Sequence, residues 1–137
     1  MTHKLHRIAV SVALLALASL ANANPSMEKN GVLASKEGRT LYTFDKDAAR
    51  KSNCNGACIA AWPAFTVANP AAADDDFSVI HRDDGGMQWA FKGKPLYFFA
   101  GDAQPGDKNG DKSGGVWHVV PAGQKLATET PSSRYSY

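Results

Sequence analysis

GRTLYTFDKDA, residues 38–48, and GKPLYFFAGDA, residues 93–103, decide how this chain is read. Gly93 lies 55 positions after Gly38, and the same step carries Leu41 to Leu96, Tyr42 to Tyr97, Phe44 to Phe99, Asp47 to Asp102 and Trp62 to Trp117. One coincidence of this kind is uninformative. A shared Gly-x-x-Leu-Tyr-x-Phe-x-x-Asp-Ala, with a Trp 15 residues after each Asp, marks a duplicated unit. The strand period of two puts Tyr42 and Phe44 on one face and Leu41 and Thr43 on the other, with Tyr97 and Phe99 likewise sharing a face.

Working outward, the turns around Gly38 and Gly93 predict that each copy opens as a β-hairpin, from 31–35 to 39–44 and from 87–92 to 94–100. A strand over 77–81 followed by the DDGG turn adds a partner to the second copy, and 117–120 reads as a closing strand. Helix signals are confined to 56–62, where Pro63 forces a stop. The polar, alanine-rich NPAAADDD, residues 69–76, separates repeat one (31–68) from repeat two (77–121). The expectation is a single, mainly β domain over 24–121, with about eight short antiparallel strands in two pseudo-symmetric halves; sandwich and barrel both remain open. Residues 122–137 have no apolar periodicity and read as a flexible C-terminal tail.

The N-terminus has the order of an export signal. Lys4 and Arg7 precede an uncharged apolar run from Ile8 to Leu20, and Ala21 and Ala23 form an Ala-x-Ala cleavage site that closes a signal peptide over 1–23. The run falls short of the roughly 20 residues a membrane-spanning helix needs. No cysteine follows it directly, so no stable membrane anchor is expected after cleavage, and a periplasmic or secreted location is. Removing Lys4 and Arg7 leaves 13 basic residues against 13 acidic ones, and this near-neutral balance gives no ground for nucleic acid as a partner.

Export also sets the redox setting. Cys54 and Cys58, with the turn-forming Asn55-Gly56 between them, are expected to form a local disulfide. The competing reading is a redox pair or a soft-metal site completed by a histidine, for which His81 and His118 are the candidates beyond the signal. Asp107, Asn109 and Asp111 imitate the opening of a calcium loop. Lys112 and His118 then stand where a Gly and a bidentate Glu are needed, so no EF-hand is encoded. Asp47 and Asp102 could suggest a carboxylate pair, but a residue repeated with its unit more often does a structural job, here accepting backbone N–H groups of the loop that follows. No Ser-His-Asp order, phosphate-cradling loop or metalloprotease helix is present, and no cofactor is expected. Tyr42, Phe44, Trp62, Tyr97, Phe99 and Trp117 belong to the aromatic set that must build most of the core.

The motifs Tyr42-x-Phe44-x-x-Asp47 and Tyr97-x-Phe99-x-x-Asp102 resemble the signature of a family of lipoproteins named for Tyr-x-aromatic-x-x-Asp, also called the secreted repeat of unknown function. Cys54-Asn-Gly-Ala-Cys58 followed by Trp62-Pro63, and the stretch GDAQPGDKNGDKSGGVWHV, agree with it as well. The resemblance implies a periplasmic or surface-exposed repeat protein and brings no catalytic residues. Its loose association with alkane catabolism is carried by no residue here. The expected function is a non-catalytic binding or structural module with an unidentified ligand or protein partner; a metal or redox protein using Cys54, Cys58 and a histidine is the second reading, and an enzyme the third.

Overall fold

The computed structural model describes residues 24–125. The export signal assigned to 1–23 and residues 126–137 of the tail assigned to 122–137 lie outside the described residues, while Ala122–Lys125 form a 3-10 turn. Among the described residues the chain is mainly β, with seven strands in small antiparallel sheets, one short α-helix and no closed barrel.

β1 (Ser26–Lys29) pairs with β2 (Val32–Ser35) across Asn30 and Gly31. Both turn residues have positive φ, 52° and 81°, as a two-residue hairpin loop requires. The hairpin expected between 31–35 and 39–44 is therefore present only in part. Ser35 N–H donates to Arg39 O and Leu41 N–H to Leu33 O, but the full ladder partner of β2 is β1. The Asn-Gly pair at 30–31 was the signal for this extra strand.

β3 (Tyr42–Phe44) pairs with β7 (Trp117–Val119), placing Tyr42 opposite Val119, Thr43 opposite His118 and Phe44 opposite Trp117. β4 (Phe77–His81), β5 (Met87–Phe91) and β6 (Lys94–Pro95) form the third sheet, in the order the sequence predicts. The helix α1 (Ala57–Ala61) sits inside the stretch where it was expected and ends at Trp62, one residue before Pro63.

The strand expected over 94–100 is cut short at Pro95. The second copy of the motif makes isolated bridges at Tyr97, to Tyr42 and to Ala64, but no ladder. Its partner segment carries Pro63 at the position equivalent to His118. Proline has no N–H to donate, so the pairing that completes β3–β7 in one half is interrupted in the other.

The alternation of the motif strands sorts their side chains into two cores. Leu41 and Leu96 join Leu33, Phe77, Trp89, Phe91 and Val120 in one cluster. Tyr42 and Tyr97 enter the other, with Cys54, Trp62 and Trp117. Adjacent residues of a strand thus serve opposite sides of the molecule, and the two copies meet at the second core.

Candidate functional site

The two motif copies touch at their tyrosines. Tyr42 N–H donates to Tyr97 O (2.8 Å) and Tyr97 N–H to Tyr42 O (2.9 Å), a reciprocal antiparallel pair. From this pair each phenol reaches into the other copy. Tyr42 Oη donates to Asp102 Oδ2 (2.7 Å), and Tyr97 Oη donates to Asp47 Oδ2, also at 2.7 Å. The remaining oxygen of each carboxylate accepts one loop amide: Asn53 N–H on Asp47 Oδ1 at 2.7 Å, and Asn109 N–H on Asp102 Oδ1 at 2.9 Å. Each asparagine then reaches back through Nδ2, to Lys46 O and Gly101 O respectively.

The aromatic residues follow the same exchange. Phe99, Trp62, Trp117 and Phe44 form a four-ring ladder, with successive centroids at 4.4, 3.8 and 4.2 Å and the two indoles only 4° from parallel. Each tyrosine presents itself edge-on to the Trp of its own copy, at 5.3 and 5.1 Å. Both indoles are buried, and Tyr42 and Tyr97 are fully so. Burial, reinforced by the Asp102 carboxylate, pushes the Tyr42 phenol well above its usual range; burial does the same at Tyr97, where the Ser52 hydroxyl opposes it and Asp47 adds to it. Burial also raises Asp47 above the ordinary aspartate value, against the lowering effect of its bonds from Asn53 N–H and Tyr97.

The expectation for the aspartates was bonds from backbone N–H groups of the following loop alone. The structure gives each carboxylate one amide and one phenol from the opposite copy. Asn53, the partner of Asp47, was not foreseen, because it lies six residues after its Asp whereas Asn109 lies seven after Asp102, so a fixed offset hides the equivalence.

A second buried network was also missed. Arg82 is 6% exposed and spends all of its guanidinium. Nε meets Asp84 (3.0 Å), one terminal nitrogen bonds Ser52 Oγ (2.9 Å) and Gln88 Oε1 (2.8 Å), and the other bonds Cys54 O at 2.8 Å. Ser52 Oγ lies 2.7 Å from Tyr97 Oη, which joins this network to the motif. A charge this deep is tolerated only when so fully paired. An Arg at a strand end gave no sequence signal of it.

Cys54 and Cys58 are joined in a disulfide with their Cα atoms 5.2 Å apart. His81 lies exposed at the end of β4. His118 is on β7, with Nε2 at 2.7 Å from Asp45 Oδ2. The calcium-like residues are engaged by the chain itself: Asp107 Oδ2 accepts the amides of Ala103 and Gln104, Asn109 serves Asp102, and Asp111 Oδ1 accepts Val119 N–H of β7. Among the described residues no three His, Cys, Asp or Glu side chains converge as a metal site. The same residues include no helix long and apolar enough to cross a membrane.

Comparison with known proteins follows the duplication. The model of a family described as a secreted repeat of unknown function matches the chain twice, over residues 27–66 and 78–121. Neither a curated protein nor a solved structure matches it.

Proposed function

The chain belongs to this family of secreted repeats, and on that premise we propose that it is an exported, non-catalytic module whose motif residues hold its two copies together and leave the surface for a ligand or partner. The reciprocal Tyr–Asp bonds carry this reading. Each carboxylate has one oxygen held by a phenol of the other copy and the other by an amide of its own loop, so even Asp47, which lines a small recess, is engaged on both oxygens rather than left free as a general acid or base would be. Asp47→Ala and Asp102→Ala should each cost about 1–3 kcal/mol, the usual loss when buried donors are stranded. Binding of any ligand by the folded fraction should be unchanged. Thermal melts of both variants check this, and two unaltered midpoints would return the aspartates to the list of functional groups.

The periplasmic or secreted location rests on the export signal and on the family's secreted character. Cleavage between Ala23 and Asn24 should appear in the intact mass of the exported protein, and an uncut or acylated N-terminus would contradict it.

A further inference from the structure

The two halves share a core, yet differ on the outer face of the motif strands. On that face of β3 and β7, Thr43 and His118 stand opposite each other, and Asp45 follows two residues along. With the turn after β5 they line a groove of about 550 Å³ that continues into a recess of about 300 Å³; Thr43, Asp45, Lys92 and Lys94 line both. A step of 55 residues carries Thr43, Asp45 and His118 to Phe98, Ala100 and Pro63. There the space is occupied, with Phe98 packed edge-on against Phe65 and the Arg39 guanidinium 4.0 Å above its ring. What remains near Lys36, Glu37 and Phe65 is a smaller hollow of about 370 Å³. One copy has thus filled with an aromatic ring the position that the other leaves open with a threonine.

The open groove is lined by charges of both signs. Lys92 comes from the turn after β5 and Lys94 from the start of β6, while Asp45 follows β3 and Asp111 lies in the loop before β7. Asp45 is paired to a half-exposed His118, and the Lys92 ammonium lies 5.4 Å from the Phe91 ring centroid. Val119 and Pro121 add apolar surface to the lining, beside the largely buried Phe91. A groove of this size, in which several charges converge on a partly apolar lining, lies in the range of small-ligand sites. We propose that this groove binds a zwitterionic ligand of amino-acid type, a free amino acid or a short peptide, with its carboxylate toward Lys92 and Lys94, its ammonium toward Asp45 and Asp111, and its side chain on the apolar floor. The inference rests on the reading of the chain as a binding module and names the site of that binding.

The test is an amide chemical-shift titration of the exported protein with free leucine, with the dipeptide Leu-Phe, and with leucine blocked as its N-acetyl amide. Saturable shifts centred on Thr43, Asp45, Lys94 and His118 are expected with a charged probe and not with the blocked one. Saturation by leucine identifies a free amino acid as sufficient, and saturation by Leu-Phe alone identifies a peptide. Thr43→Phe, which copies the residue of the opposite half, should abolish the response while keeping the thermal midpoint. Lys94→Glu, at an exposed position at the start of β6, should weaken binding about tenfold or more and serves should Thr43→Phe not fold. No saturable shift at these residues, equal shifts with the blocked probe, or unchanged binding by the variants would overturn the assignment. Failure here leaves the melts of the aspartate variants, which decide the structural reading of the motif, untouched.

Discussion

The tyrosine hydroxyls are the residues on which the two copies depend most directly. Each is a neutral donor in a buried site beside a carboxylate, so ionising it would strip that carboxylate of its donor and put negative charge next to negative charge. The folded phenols are therefore raised above the ordinary value of about 10 that they recover on unfolding. The native state holds these protons where the unfolded chain has released them. Stability is thus fully present below about pH 10 and falls as pH rises beyond it. Denaturant midpoints measured across the alkaline range should show this decline, and it should be halved in Tyr42→Phe; a flat profile would contradict the burial of the phenols. Gly110 shows how tightly the neighbouring space is drawn, since a Cβ there would sit 2.6 Å from the Trp62 ring.

The segment between β3 and Trp62 is the element most exposed to a single covalent choice. It carries Asp47, Ser52 and Asn53, then closes on the Cys54–Cys58 disulfide and α1. Cys54 is fully buried against the shared aromatic core, and its carbonyl accepts from Arg82. Removing the bridge by Cys54→Ala with Cys58→Ala releases a short loop worth about 2 kcal/mol, a drop of roughly 10 °C in thermal midpoint for a domain of this size. Amide exchange should quicken first at Asn53, whose N–H is held by Asp47; an unchanged midpoint would show that packing alone fixes the loop. Much of this element was legible beforehand, because oxidising export, a turn between the cysteines and Pro63 after a short helical stretch each have a local cause. What sequence hid was non-local. The bond from Arg82 to Ser52 spans 30 residues, and the exchange of phenols between copies has no signature in either copy alone. Even β1 was announced by Asn30-Gly31, whereas the broken pairing at Pro63 depended on which segment would lie beside Tyr97.

At the scale of the molecule, the duplication did not produce two small domains side by side. The Tyr–Asp bonds, the stacking of Phe44 on Trp117, the tilted packing of Phe99 against Trp62, and the stacking of the indoles all run from one copy to the other. The join extends into the third sheet, where Trp89 N–H of the second copy donates to Phe65 O of the first and Val67 N–H returns to Met87 O. A single copy therefore has neither its aromatic partners nor a second face to its core. At about 50 residues it is also near the lower limit at which a chain without external help buries enough surface to fold. Residues 24–72 and 73–125, expressed separately, should each lack a cooperative thermal transition, although the first keeps its disulfide. Mixed in equal amounts, they should regain the near-ultraviolet circular dichroism of the stacked indoles, because every exchanged contact is available to them again. A cooperative transition in either fragment alone would mean that the copies are independent units and that the crossed bonds only decorate their contact.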